Sequence, residues 1–104
     1  MSEPLGISVE RLRAVFDLLM TRLAQDEGDT VGLARDYFWS VPPDALYNVY
    51  EEPKELTIGQ LSESWDRLEG LLEDDSRALP YHLVWLADVI RALGHEQTRS
   101  ALTD

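Results

Sequence analysis

Covalent chemistry in this chain would have to run through two histidines, His82 and His95, the serines of Ser62-Glu63-Ser64 and a surplus of carboxylates. A hydroxyl becomes a nucleophile only when a base lies within hydrogen-bonding reach and a third group orients that base. No strand–turn–helix elbow precedes any serine, so Ser62 and Ser64 read as solvent-facing positions on a helix. His82 reads as a partly buried, hydrogen-bonded residue in the first turn of the last helix. His95 reads as a cation near that helix's C-terminus, where the macrodipole favours positive charge. Asp88, Arg91 and His95 fall on one helical stripe and read as a surface ion-pair row. Asp26-Glu27-Gly28-Asp29 and Glu73-Asp74-Asp75 offer oxygen ligands but lack the loop spacing of a calcium-binding hand. Gly28 and Gly32 are not followed by the helix and lysine of a phosphate loop. With no cysteine, thiolate chemistry and disulfide scaffolding are excluded. The reading is a non-enzyme, with no catalytic residue, no cofactor and no metal ion.

What remains is a recognition chemistry. Between Asp44 and Asp75 there are ten carboxylates against Lys54 and Arg67 alone, so this third of the chain carries −8 of the total −11. Tyr37, Phe38, Trp39, Tyr47, Tyr50 and Trp65 lie in it or just before it. Negative charge steers a basic partner inward, and rigid aromatics then anchor it. Trp39, Tyr37 and Tyr50 read as core by their spacing, as do Trp65 and Trp85 on helical apolar faces. Phe38 points to the opposite strand face, and Tyr47 lies off the Leu46/Val49/Tyr50 stripe. The candidate partner-binding patch is therefore Asp36, Phe38, Asp44, Tyr47, Glu51 and Glu52.

Charge and length narrow the classes further. A chain of 104 residues fits a single domain, with loose termini over 1–7 and 97–104. Nucleic acid and anionic membrane surfaces draw on Lys and Arg, so both are expected not to be partners. The most apolar run, Leu83–Leu93, is broken by Asp88 and Arg91 and falls short of the roughly 20 residues that span a bilayer. Met-Ser-Glu-Pro at the start has neither a basic nor an apolar signal region, and the expected location is cytoplasmic.

The elements that must hold these residues follow from periodicity. Ser8 is a suitable N-cap, and Leu12, Val15, Phe16, Leu19 and Leu23 follow helical spacing, predicting a helix over 8–25 closed by Gly28. Val31, Leu33, Tyr37, Trp39 and Val41 alternate, predicting a strand over 31–41 stopped by Pro42-Pro43. Such a strand needs a partner, and residues 55–58 are the preferred one; pairing across a dimer or irregular packing are the alternatives. A short helix is predicted over 44–50. Thr57 and Gln60 match a capping box, placing a helix over 58–73 with Glu63 and Arg67 in the favourable i,i+4 order. Pro80 and Gly94 bracket a last helix that is apolar nearly all round, which places it at the centre of the fold, in an oligomer interface or in both; the helix around Pro80–Gly94 is the candidate surface of a homodimer.

Asp-Tyr-Phe-Trp-Ser-Val-Pro (36–42), Leu-Tyr-x-Val-Tyr (46–50) and Leu-Thr-Ile-Gly-Gln-Leu (56–61) with Trp65 resemble small acidic bacterial proteins of no assigned function. The likeness covers about residues 36–72 and implies no activity. The expectation is a mainly α domain of three to four helices with a short extended segment or two-stranded ribbon around 31–41 and 55–58. Its expected role is to bind a basic protein partner, as an immunity protein, antitoxin or regulator does. The alternative is a structural subunit that associates with itself.

Overall fold

The computed structural model describes residues 4–76 and 80–103 of a mainly α chain with a two-stranded antiparallel ribbon. The chain divides into two compact units, Met1–Gly32 and Leu33–Asp104. The first contains one helix, α1 (Val9–Glu27). Its start is as predicted: Ser8 Oγ accepts the Arg11 N–H at 3.2 Å. Gly28 ends it with φ at +89°, a conformation in which any side chain is strained, while its N–H still bonds the Ala24 carbonyl at 2.8 Å. The helix runs two residues past the expected end, through Asp26 and Glu27. Of the predicted loose segment, Pro4–Ile7 has no regular structure and Met1–Glu3 lie outside the described residues.

The second unit runs β1 (Tyr37–Ser40), α2 (Pro43–Leu46), β2 (Thr57–Gln60), α3 (Leu61–Glu73) and α4 (Tyr81–Thr103). The preferred pairing is found: β1 and β2 are antiparallel, with Tyr37 opposite Gln60, Phe38 opposite Gly59, Trp39 opposite Ile58 and Ser40 opposite Thr57. The strand is far shorter than the expected 31–41. A strand extends only as far as its partner satisfies its ladder groups, and β2 supplies four residues.

Two helix boundaries move for identifiable reasons. Thr57 and Gln60 do not form a capping box, and α3 starts at Leu61 rather than 58. Thr57 Oγ1 instead donates to the Ser40 carbonyl at 3.3 Å, and Gln60 Nε2 donates to Asp36 Oδ2 at 2.9 Å. The cap of α3 comes from across the ribbon: Asp36 Oδ1 accepts the Ser62 N–H at 2.7 Å and Oδ2 accepts the Ser62 hydroxyl at 2.9 Å. The Asp36 main-chain carbonyl takes the Leu61 N–H at 2.7 Å. At the other end, Gly94 does not stop α4, which continues through the expected loose tail to Thr103; Asp104 lies outside the described residues. One helical glycine costs about 1 kcal/mol, which a turn of further bonding outweighs. Beyond it Thr98 Oγ1 donates to the Gly94 carbonyl, and Arg99 pairs with Glu96 at 3.0 Å.

α2 is also shorter than the predicted 44–50. The chain leaves the helix after Leu46, where the Asn48 N–H bonds Ala45 O at 3.2 Å and Asn48 Oδ1 accepts the Tyr50 N–H at 3.3 Å. Packing in this unit is of α3 against α4 and of β1 against β2. Leu61, Ser64, Leu68 and Leu71 make the covered stripe of α3, with Leu61 and Ser64 buried; Ser64 is thus not the solvent-facing residue its neighbours suggest. Among the described residues Val89 is the buried one of α4, flanked by half-buried Trp85, Leu86, Ile90 and Leu93. Glu63 and Arg67 form the expected ion pair. The Arg67 guanidinium also lies 4.6 Å from the centre of the Trp85 ring, which His82 meets edge-on at 4.9 Å.

Two outcomes test this arrangement. A Cβ at Gly59 would fall 2.7 Å from Cε1 and Cε2 of Phe38, so Gly59→Ala should lower the unfolding free energy by about 1–3 kcal/mol in a urea titration. Bonds from Gln60 and Ser62 hold the Asp36 carboxyl below its ordinary range, against a small opposing effect of desolvation. A carboxyl lowered by folding stabilises the native state above its unfolded pKa and loses that contribution as pH falls through the folded one. Asp36→Asn should therefore flatten the acid limb of stability measured by thermal melts, and Asp36→Ala should lower the melting temperature at neutral pH.

Candidate functional site

The loop that follows β1 gathers the acidic side chains. Pro43 opens α2 at a position where a missing N–H is harmless, and Asp44 sits in the first turn, where the helix dipole favours a carboxylate. After the Asn48 turn the chain carries Glu51, Glu52, Lys54 and Glu55 through an irregular stretch back to β2. Together Pro42, Asp44, Ala45, Asn48, Glu51, Glu52, Lys54 and Glu55 line an open hollow of about 380 Å³. Four acidic residues and one lysine are among its lining residues, so the surroundings of the hollow carry net negative charge. On the same loop Tyr47 is 83% exposed and Tyr50 94%.

Of the six predicted site residues, the structure brings Asp44, Glu51 and Glu52 together around this hollow, with Tyr47 exposed on its loop. Asp36 is elsewhere employed: its carboxylate is saturated by Gln60 and Ser62 at the start of α3, which makes it a structural residue. Phe38 is half-buried with its ring laid over Gly59, so it is not an exposed anchor. The exposed strand face is the other one. Tyr37 is 66% exposed, Trp39 69% and Ile58 66%, reversing the expectation that Tyr37 and Trp39 cover a core. Trp65 and Tyr50, also read as core, are exposed; Trp85 is half-buried. Glu55 was missed as a member of the hollow, although its place two residues before β2 keeps it beside Glu52. The signal for the ribbon's orientation was Gly59: a glycine opposite Phe38 leaves the space that a large ring fills.

The remaining titratable residues have local explanations. Burial raises the Asp88 carboxyl, while the charge of Arg91 acts against it. The expected ion-pair row is not formed: between described residues the ion pairs are Glu10–Arg13, Glu63–Arg67 and Glu96–Arg99, while Asp88 is half-buried and Arg91 and His95 are exposed. Glu96 is lowered chiefly by its bond to Arg99, opposed by desolvation and helped by the Ala34 N–H. Asp74 is lowered by its bonds to Ser76. Among the described residues no group of three or more His, Asp or Glu side chains is placed to hold a metal ion. No helix among them is long and apolar enough to cross a membrane. Comparison with family models, with curated proteins and with solved structures finds no match to this chain.

Chemically, the hollow can take a cation with a planar or compact head. Carboxylates accept the parallel donors of a guanidinium; Tyr47 and Tyr50 are exposed on the same loop but do not line the hollow. Among the described residues Lys54 is the one cation lining the hollow, and it offsets the mutual repulsion of the four acids. Lys54→Glu should therefore lower stability by about 0.5 kcal/mol at low ionic strength. Added salt should erase most of that difference in matched urea titrations.

Proposed function

We propose that this protein is a non-enzymatic interaction module whose hollow between Pro42 and Glu55 receives Arg or Lys side chains of a basic protein partner. An immunity protein, an antitoxin or a regulator that masks a basic surface would act this way. The observation that carries the reading is the convergence of Asp44, Glu51, Glu52 and Glu55 on one open hollow. Tyr47 and Tyr50 on the same loop supply the aromatic contact that converts a steered encounter into a lasting one. Acidic charge governs the association rate, whereas a desolvated ring governs the dissociation rate.

Affinity capture from cells at low and high salt, with the wild type beside a Glu51→Lys/Glu52→Lys variant, tests this. Basic proteins should be retained by the wild type at low salt, released by high salt and lost from the variant. With a captured partner in hand, the double variant should slow association by about tenfold or more, and Tyr47→Ala should hasten dissociation. Binding that ignores both ionic strength and these substitutions would sink the proposal.

A second reading, a structural subunit that associates with its own kind, is favoured by a separate observation. Tyr81, Leu83 and Val84 in the first turns of α4 are each about half exposed or more. That leaves part of the helix expected to dimerise available to a partner.

A further inference from the structure

The ribbon has an unfinished edge. In an antiparallel ladder, directly opposed residues alternate between pairs that exchange hydrogen bonds and pairs that do not. The Leu61 N–H bonds the Asp36 carbonyl, which fixes that alternation: Phe38/Gly59 and Ser40/Thr57 are bonded pairs, and Tyr37/Gln60 and Trp39/Ile58 are not. Tyr37 and Trp39 therefore aim their N–H and C=O groups away from β2, along the outer edge of β1. No main-chain hydrogen bond to either residue is made on that edge by any described residue.

Exposed edges are ordinarily blunted by lysine, proline, a bulge or a covering element. Tyr37–Ser40 reads Tyr-Phe-Trp-Ser, with no charge and no proline. The two residues whose main chain is open are also the exposed aromatics. A two-stranded ribbon is itself marginal and gains most from a further strand.

We infer that this edge is a self-association surface: the β1 strands of two copies pair antiparallel about a two-fold axis beside Phe38. Tyr37 of one copy then lies opposite Trp39 of the second, and each exchanges both main-chain hydrogen bonds with its opposite. On one face the rings of Tyr37 and Trp39 form cross-strand aromatic pairs that continue the Trp39–Ile58 pair of each ribbon. The register is self-complementary in charge as well. Asp36 falls opposite Ser40 and Arg35 opposite Val41, so no like charges face one another across the strands. Charge is also why the occupant is a second copy and not the basic partner of the hollow. The strand offers no carboxylate to a basic segment, and two chains of −11 each approach with least repulsion where charge is missing.

This inference does not rest on the acidic hollow, and salt separates the two. Raising ionic strength should weaken capture of a basic partner but strengthen this dimer. Sedimentation of the full chain should show a species of twice 11.8 kDa that dissociates on dilution. Trp39→Pro removes the outward N–H and spares every bond to β2, so it should raise the dimer dissociation constant at least about tenfold more than Trp39→Thr. Amide exchange gives the decision should the proline variant unfold. Tyr37 and Trp39 amides of the wild type should be protected at high concentration and lose that protection on dilution, whereas Phe38 should be unaffected. A monomer at every concentration overturns the inference. So does a dimer in which the Tyr37 and Trp39 amides exchange freely, which would move the contact to α4.

Discussion

Asp36 ties together the ribbon and the helix that follows it. Its main-chain carbonyl extends the β1–β2 ladder to Leu61, and its carboxylate then takes the next N–H and the hydroxyl of Ser62. The first N–H groups of a helix have no partner within it, and a carboxylate placed there also meets the positive end of the dipole. One residue thus ends the strand pairing and begins α3 without a connecting loop. Gln60, the last strand residue, donates to the same carboxylate and so fixes its orientation. The junction fixes where α3 starts, and α3 is the helix against which α4 lies.

The α3–α4 packing is correspondingly economical. Among the described residues the buried apolar side chains are Leu61 and Val89, and Leu61 is the residue that Asp36 positions. Around them the contacts are amphipathic: Arg67 lies over Trp85 while pairing with Glu63, and His82 presents an edge to the same ring. A guanidinium that covers an indole removes apolar surface from water through its own stem and head, without adding another hydrocarbon to the core. The charge-rich composition of α3 is therefore compatible with a packed face.

What could be read beforehand was chiefly whatever depends on neighbours in sequence. Ser8 as a cap, Gly28 as a terminator and the Glu63–Arg67 pair are local matters, and they hold; the pairing of the two extended segments holds across 17 to 23 residues because the sequence offers the first segment just one other short extended stretch. What could not be read was long-range. Alternation in Val31–Val41 shows that two faces exist, but not which one is covered; Gly59 across the ladder decides that Phe38 turns inward. Thr57-x-x-Gln60 matches a capping box by spacing, yet a carboxylate 26 residues before Ser62 supplies a better-placed acceptor. The candidate patch divided along the same line. Asp44, Glu51 and Glu52 are close in sequence and stay together, while Asp36 and Phe38 were claimed by partners across the ribbon.

The distribution of charge then gives the two kinds of surface separate roles. Carboxylates crowd the loop from Asp44 to Glu55 and the exposed sides of α3, while Tyr37–Ser40 carries none. Copies of a strongly acidic chain repel at long range, so casual contact between edges is suppressed even though the strand itself has no gatekeeper. An approach that brings uncharged surface to uncharged surface, such as strand to strand, meets less of that repulsion. The proposed basic partner would meet the opposite landscape, with carboxylates on the loop and none on Tyr37–Ser40. Under the proposed edge pairing, the net charge that would attract a basic partner would also disfavour contact between the acidic surfaces of two copies, leaving the uncharged edge of β1 as a place where that repulsion is weak.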